Sequence, residues 1–330
     1  MTREKTLTRP PIARTKPPAL RVGDVVGIVA PASDIHRDLL EAGCDALRKL
    51  GYKPFYFDSI FERDLYFAGS AKRRARELEE MFAREDVKAI LCARGGYGTN
   101  YLLDELDLEK VRAHPKIFAG YSDVTTLLNW FADAAGVVTF HAPMVTKDFA
   151  HDDGVDAASW NAAVSGAGEW SVQPAAGAEF KALVEGSAEG ILYGGCLSML
   201  AASLGTPFEI RTEGTILFLE DVTTKPYQID RMLMQLKLAG KLEGVKGMVF
   251  GEMLDCVQSR DQQYTLQEVI LRVVGDMGIP VGYGLRSGHV TRGNITLPIG
   301  VRAALQLEGT RAELRMLEAA TRAPAPAVRS

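Results

Sequence analysis

The 330-residue chain contains few features that mark specialised protein classes. Its four cysteines, Cys44, Cys92, Cys196 and Cys256, are isolated, so neither a disulfide framework nor a structural zinc site is indicated. No apolar run approaches the roughly eighteen residues of a membrane-spanning helix, which excludes that class of protein. We therefore expect a protein of the reducing cytoplasm that uses no metal and no other cofactor.

The chain also has no strong charge of either sign. It carries 38 Lys and Arg against 42 Asp and Glu, and its basic residues form no run interleaved with aromatics. A nucleic acid is therefore not an expected partner. Residues 1–20 contain Arg, Lys and Pro without the apolar core of a secretory signal, so we expect none there.

Strands and helices alternate along the first half of the chain. Apolar runs typical of strands occupy residues 24–29, 53–57, 87–92, 116–119 and 137–140. Helical patterns lie between them over residues 34–50, 71–82, 99–106 and the segment after 122. This alternation predicts an α/β fold with a doubly wound parallel sheet, in which ligands bind beyond the carboxyl ends of the strands.

The pattern changes after residue 150. Strands are predicted at residues 216–219, 247–253, 295–299 and 303–316, the last with a turn near Gly309, and helices at 226–236 and 266–273. The predicted organisation is a flexible arm (1–20), an N-terminal α/β domain (21–150), an interdomain connection (151–180), a β-rich C-terminal domain (181–318) and a disordered tail (319–330).

Ser122 lies on a predicted tight turn from a strand to a helix. The helix has a buried stripe at Val124, Leu127, Leu128 and Phe131. A serine at such a turn projects its hydroxyl from the end of a sheet, close to amides that can receive negative charge. The turn is therefore either a nucleophile elbow or an ordinary helix cap, since Val124 replaces the second glycine of G-x-S-x-G.

A serine nucleophile needs a base and an acid that orients the base. Among five histidines, His289 lies in a glycine-flanked polar loop at residues 286–293 and is either a base or a surface histidine. His141 follows a strand and either supports the site or fills the core. Glu220 ends an apolar strand and is either the orienting carboxylate or a solvated strand end.

Residues 94–98 (RGGYG) follow another predicted strand. They match neither the P-loop nor G-x-G-x-x-G. Their glycines allow backbone amides to approach a reacting group closely. Arg94, Arg286 and Arg292 are candidate partners for a substrate carboxylate, with surface ion pairs as the alternative.

Several of these segments together resemble the LD-carboxypeptidases, also called muramoyl-tetrapeptide carboxypeptidases. The segments are 93–98 (ARGGYG), 118–125 (FAGYSDVT), 141–144 (HAPM), 194–198 (GGCLS), 219–221 (LED), 226–231 (PYQIDR) and 288–289 (GH). The resemblance extends in order from about residue 20 to 305, which makes it far more specific than any single motif. Ala142 and Cys196 depart from residues that are common in the family.

The resemblance implies a Ser-His-Glu triad that lies across two domains. Ser122 is the implied nucleophile, His289 the base and Glu220 its orienting carboxylate. The amides of Asp123 and of the Gly95-Gly96 turn are the implied oxyanion hole. Arg94, Tyr97, Tyr121 and Arg286 are expected to contact the substrate.

The same resemblance implies the architecture and the reaction. The expected fold is an N-terminal flavodoxin-like, doubly wound parallel sheet followed by a C-terminal β-rich α/β domain. The expected activity is cytoplasmic hydrolysis of the bond before the terminal D-alanine of murein tetrapeptides in cell-wall recycling, by a homodimer.

Two other functions stay open on the sequence. Within the family, microcin C self-immunity proteins cleave aminoacyl or peptidyl nucleotide analogues, and Trp160 or Trp170 is a candidate to stack on the nucleobase. The other alternative is a non-catalytic binding protein on a two-domain scaffold.

Overall fold

The computed structural model describes residues 14–172, 180–258, 261–309 and 311–323. The first half contains β1 (Val25–Val29), α1 (Arg37–Lys49), β2 (Lys53–Phe55), α2 (Ala71–Ala83), β3 (Val87–Cys92), α3 (Leu108–Ala113), β4 (Ile117–Gly120), α4 (Thr125–Trp130) and β5 (Thr139–His141). The remainder contains α5 (Ala157–Val164), β6 (Trp170–Val172), β7 (Lys181–Val184), β8 (Gly186–Cys196), α6 (Leu197–Ala202), β9 (Thr215–Glu220), α7 (Pro226–Leu238), β10 (Gly247–Gly251), α8 (Leu266–Val274), β11 (Val281–Leu285), β12 (Leu297–Ile299), β13 (Arg302–Glu308) and β14 (Arg311–Met316).

The first sheet has the predicted flavodoxin-like order. Its parallel strands run β2-β1-β3-β4-β5, with each crossover made through a helical segment. The residues of β1, β3 and β4 are almost all buried because helices cover both faces of the sheet, which explains why these strands are short apolar runs in the sequence. The prediction of a doubly wound parallel sheet is confirmed.

The second sheet has eight strands in the order β6-β14-β13-β8-β9-β10-β11-β7. Its centre, β8 to β11, is parallel, whereas the remaining pairs are antiparallel. Glu220 ends β9 at the carboxyl edge of the parallel part. This confirms the predicted β-rich α/β architecture of the second half.

Strand β12 differs from its predicted position. The sequence places residues 295–299 in the C-terminal domain, but β12 pairs antiparallel with β5 of the first sheet. Leu297 and Ile299 are completely buried there. Because this pairing is made between residues more than 150 positions apart in the chain, local sequence patterns carry no signal for it.

Two helical predictions change in detail. The stripe after Ser122 is completely buried, as predicted, but the segment is a 3-10 turn (Ser122–Val124), α4, and a π turn (Phe131–Ala135). Residues 99–106 are not one helix. A 3-10 turn covers Thr99–Leu102, and α3 begins only after Asp107, whose side chain accepts a hydrogen bond from the Glu109 amide.

The predicted arm and tail are partly packed against the domains. Arg14 forms an ion pair with Asp133 at 3.1 Å. The Arg322 amide donates to the Pro17 carbonyl at 2.8 Å, and Thr321 is only 1% exposed. Residues 14–20 and 319–323 are therefore part of the fold, while 1–13 and 324–330 lie outside the described residues. None of the described helices is long and apolar enough to cross a membrane.

Candidate active site

Ser122 follows β4 in a strained conformation. Its φ is +64°, in the left-handed region, which costs a residue other than glycine about 1–3 kcal/mol. The turn after β3 packs directly against it, because a Cβ placed on Gly95 would lie 3.1 Å from the Ser122 hydroxyl oxygen. A strained serine at a strand end beside a glycine turn has the geometry of a nucleophile elbow.

The glycine turn is held close to Ser122 by the residue after the serine. Asp123 is 1% exposed, its carboxylate accepts a hydrogen bond from the Thr99 amide at 2.8 Å, and its carbonyl accepts one from the Thr99 hydroxyl. On the other side of the turn, the Ser33 hydroxyl accepts a hydrogen bond from the Tyr97 amide at 3.1 Å. Gly95 and Gly96, the implied oxyanion residues, thus lie in a turn whose following residues, Tyr97 and Thr99, are held by hydrogen bonds.

A buried arginine, Arg74, donates hydrogen bonds that support the same turn. The Arg74 guanidinium, on α2, donates hydrogen bonds to the carbonyls of Pro31 and Gly98, the latter at 2.9 Å. Its side chain is 3% exposed and lies over the ring of Phe67. Arg74 therefore joins the loop after β1 to the glycine turn, a role that the sequence analysis did not identify.

Glu220 and His289 form a pair at the carboxyl edge of the second sheet. Glu220 Oε2 accepts hydrogen bonds from His289 Nδ1 at 2.7 Å and from the His289 amide at 3.0 Å. The pair requires glycine at 288, where φ is +95° and a Cβ would lie 2.5 Å from the Glu220 carboxyl carbon. The structure therefore brings together two of the three predicted catalytic side chains.

The pair is electrostatically coupled. Burial alone raises the pKa of Glu220, but the charge and hydrogen bonds of His289, together with the neighbouring His141, outweigh burial and hold that pKa well below its usual range. Burial lowers the pKa of His289, and Glu220 more than offsets this, so the pKa of His289 lies above its ordinary value. Such a coupling makes the imidazole a stronger base.

Tyr121 joins the serine segment to the histidine. Its ring packs edge-on against His289, with the ring centroids 5.2 Å apart, and it directly precedes Ser122 in the chain. In the part of the chain that the structure describes, the side-chain hydrogen bonds of His289 go to Glu220 and none joins it to Ser122. Bonds of this kind are often long without substrate, so the gap does not disqualify the base.

The four predicted substrate residues have different positions. Tyr121 is completely buried and packs against His289, so its contact with substrate stays a prediction. Arg94 is exposed and donates to the Asp34 carbonyl at 3.0 Å. Tyr97 is 42% exposed. Arg286 is only 8% exposed and, with Arg292, lines a cavity of about 670 Å³ beyond β10 and β11.

A buried polar network that the sequence analysis missed fixes the His289 loop. Asn294 accepts a hydrogen bond from the Gly288 amide at 2.9 Å and donates to the Gly288 carbonyl at 3.1 Å. The side-chain NH₂ group of Asn294 also donates to the Asp148 carboxylate at 3.3 Å, and burial raises the pKa of this carboxyl to about 6. Neither residue belongs to a motif, so only the three-dimensional contacts identify them.

The two departures from the family pattern lie beside the site. Cys196 pairs with Glu220 across β8 and β9, and its amide donates to the Thr125 hydroxyl at 3.1 Å. Burial raises the pKa of the Cys196 thiol well above its ordinary value, so it is not a nucleophile at neutral pH. Ala142 is completely buried in the core.

The arrangement contains the groups of serine hydrolysis on one edge of the molecule: a projected hydroxyl, an imidazole paired to a carboxylate, and a glycine turn. Across residues 14–172, 180–258, 261–309 and 311–323, no group of three or more His, Cys, Asp or Glu side chains is arranged to hold a metal ion.

Comparison with known proteins gives the family. Residues 26–142 match the LD-carboxypeptidase N-terminal domain, and residues 189–305 match the LD-carboxypeptidase C-terminal domain. The chain is 39% identical to a probable murein peptide carboxypeptidase of Bacillus subtilis, over 88% of this chain and 91% of that protein. It is 30% identical to the microcin C7 self-immunity protein MccF of Escherichia coli, over 88% and 92%.

Solved structures agree with these matches. The muramoyltetrapeptide carboxypeptidase from Oxalobacter formigenes superposes with a TM-score of 0.80 at 31% identity, over 91% of this chain and all of that chain. MccF in complex with glutamyl sulfamoyl guanosine has the same fold, with a TM-score of 0.85 at 23% identity, over 93% and 99%. The chain therefore belongs to the LD-carboxypeptidase family, peptidase family S66, and is a serine carboxypeptidase by that membership.

Proposed function

We propose that this protein hydrolyses the bond between the L-centre of the diamino acid and the terminal D-alanine of murein tetrapeptides, with Ser122, His289 and Glu220 as a catalytic triad. The observation that carries the proposal is the bond of 2.7 Å between His289 Nδ1 and Glu220. That pair lies against Tyr121, the neighbour of Ser122. Relatives named for murein peptides at 39% and 29% identity support the substrate class.

Each triad member has a defined step. His289 takes the proton from the Ser122 hydroxyl as the oxygen attacks the substrate carbonyl carbon, and Glu220 stabilises the imidazolium that forms. The amides of Asp123 and of the Gly95-Gly96 turn receive the negative oxygen of the tetrahedral intermediate. His289 then protonates the amine of D-alanine as the C–N bond breaks, and water hydrolyses the ester on Ser122 by the same sequence.

The proposal extends to the setting of the enzyme. We place it in the cytoplasm, as a homodimer, in cell-wall recycling. The four cysteines are free and buried, which fits a reducing compartment.

The principal alternative substrate is an aminoacyl or peptidyl nucleotide analogue, favoured by the 30% identity to MccF. Trp160 is not available to stack on a nucleobase, because it is 1% exposed and packs edge-on against Phe149. Trp170 lies in β6 at the edge of the second sheet, with its indole nitrogen buried. The nucleotide alternative therefore lacks the aromatic residue that the sequence suggested at Trp160.

The experiment compares two substrates and one variant. We expect the wild-type protein to release D-alanine from a murein tetrapeptide faster than it cleaves an aminoacyl sulfamoyl adenylate, and Ser122→Ala to be inactive on both. Full hydrolysis by Ser122→Ala refutes the triad, and the reverse substrate preference favours the nucleotide analogue. A wild-type protein that binds tetrapeptide but neither cleaves it nor reacts with a serine-directed phosphonate is a binding protein.

A further inference from the structure

His141 is a second histidine beside the Glu220 carboxylate, and the proposed mechanism does not use it. It ends β5 in the first sheet and is completely buried. Its Nε2 lies 3.8 Å from Glu220 Oε1, while His289 occupies Oε2. One carboxylate from the second sheet therefore lies between two imidazoles.

The hydrogen bonds around His141 fix its protons. The Ser287 hydroxyl donates its single proton to the Ile295 carbonyl at 2.7 Å. The contact of 3.0 Å between His141 Nδ1 and the Ser287 oxygen therefore requires a proton on Nδ1.

A neutral ring of this tautomer leaves a lone pair on Nε2 that faces the carboxylate. Nε2 of His141 and Oε1 of Glu220 are both buried, and neither has a hydrogen-bond partner among the described residues. A proton on Nε2 would replace this unfavourable contact with an attraction between an N–H group and the carboxylate across 3.8 Å, which is longer than a hydrogen bond. With Nδ1 already protonated, this second proton would make His141 a cation that pairs with Glu220.

We infer that His141 is a positioning residue that holds Oε1 of Glu220 and limits the basicity of His289. The inference rests on the proposed triad, because the basicity of His289 affects catalysis only if His289 is the base. Two imidazolium ions that share one carboxylate repel each other, so protonation of His289 is less favourable while His141 is charged. His289 then stays neutral, and competent as a base, at a lower pH than it would with Glu220 alone.

Other ionisable groups also face this cluster. Asp221 and Lys147 act on His289, and Cys196 and Tyr121 lie close to Glu220. Burial raises the pKa values of the Cys196 thiol and the Tyr121 hydroxyl well above their ordinary values, so neither group ionises near neutral pH.

Asp148, which accepts a hydrogen bond from Tyr121, has a pKa raised by burial to about 6 and titrates in the relevant range. The protonation of the His289 ring must therefore be measured directly, and its midpoint compared between variants that all retain Asp148.

The test uses two substitutions that separate the two nitrogens. His141→Asn keeps an amide near the Nδ1 position and removes the group that faces Glu220. His141→Gln places a neutral amide donor near the Nε2 position. NMR titration of the His289 ring protons gives the midpoint of its protonation, and kcat/KM is measured at pH 6 and pH 8.

For both variants we expect the His289 midpoint to rise by at least about half a pH unit, which lowers the ratio of kcat/KM at pH 6 to that at pH 8 by about threefold. We expect kcat at pH 8 to fall further in His141→Asn than in His141→Gln, because only the glutamine still holds Oε1. A folded variant with an unchanged midpoint overturns the inference. If His141→Asn does not fold, the His289 midpoint measured in His141→Gln alone tests the inference.

Thr139→Val is the matched control. Thr139 lies two residues earlier in β5, is 1% exposed, and its hydroxyl donates to the Leu128 carbonyl at 3.0 Å, away from Glu220. We expect this variant to lose stability without moving the His289 midpoint. The NMR midpoint is measured without substrate, so the two proposals can fail separately. If the His141 variants shift the His289 midpoint but the wild-type protein does not hydrolyse the murein tetrapeptide, only the proposed function is contradicted. If the wild-type protein hydrolyses the tetrapeptide but the variants leave the midpoint unchanged, only the inference is contradicted.

Discussion

Glu220 Oε2 accepts two hydrogen bonds from His289, one from the ring at 2.7 Å and one from the backbone amide at 3.0 Å. The backbone bond fixes the position of the residue and the ring bond fixes its orientation. The carboxylate therefore positions the base as well as raising its pKa, and the two effects are separable by mutation.

Glu220→Gln removes the negative charge and keeps the shape of the side chain. We expect kcat to fall by roughly 10³- to 10⁴-fold, because the amide neither stabilises the imidazolium nor fixes the tautomer. Since Glu220 raises the pKa of His289, the acid limb of the pH–rate profile is expected to move to lower pH. A profile from pH 5 to 9 checks both effects, and a limb that moves to higher pH contradicts the assignment of the pair.

Substitutions at Ser122 test its backbone strain. Glycine adopts a φ of +64° without steric cost, whereas alanine is strained there as serine is, and both substitutions remove the hydroxyl. We expect both variants to be inactive, with Ser122→Gly more stable than Ser122→Ala by about 1 kcal/mol in the free energy of unfolding. Urea denaturation of the two proteins gives this difference. Equal stabilities would mean that the serine is not strained in solution.

Gly288→Ala tests the close contact between the histidine loop and Glu220. The new methyl group would lie 2.5 Å from the Glu220 carboxyl carbon, at a φ of +95°. We expect a loss of about 2–4 kcal/mol in unfolding free energy and at least a hundredfold loss of kcat, because the carboxylate must move away from His289.

Gly278→Ala is the control for that substitution. Gly278 also has a positive φ, of +67°, but a Cβ there meets nothing within 4 Å. We expect it to lose only the strain energy, about 1 kcal/mol, and to keep its activity. Similar kinetic losses in both variants would argue against a specific role for the contact with Glu220.

Arg74→Met tests the support of the glycine turn. The substitution removes the Arg74 donor from the buried Pro31 and Gly98 carbonyls, of which Gly98 keeps only a long bond from the Tyr101 amide, so we expect a loss of about 2–4 kcal/mol in unfolding free energy. We also expect a fall of about tenfold in kcat with a smaller change in KM, because the turn that receives the oxyanion loses its support. The exposed Arg76, on the same helix, provides the control Arg76→Met, which should be close to wild type.

The sequence predicts the parts of this molecule whose signal is local. The predictions of a strand before Ser122 and of a buried stripe after it are confirmed, because an apolar run and helical spacing are each visible within about fifteen residues of sequence. The placement of Ser122 and Glu220 at strand ends follows from the same patterns, since carboxyl ends of parallel strands are where loops carry chemistry.

Contacts between distant segments could not be predicted in this way. Asn294 and Asp148 are single polar residues whose burial depends on packing between segments 146 residues apart. The packing of Tyr121 against His289 is likewise a tertiary contact that no spacing in the chain encodes. The sequence could not decide whether His141 supports the site or fills the core, because its contact with Glu220 also joins distant segments.

Strand β12 has a consequence for how the molecule can be divided. The loop with His289 leaves β11 in one sheet and enters β12 in the other, so its two ends are anchored in different halves. A fragment that stops at residue 150 would expose β5 as an open edge and would lack the base. A single cut in the connecting segment therefore does not yield two complete halves, because the first sheet would lose β12, which lies on the C-terminal fragment.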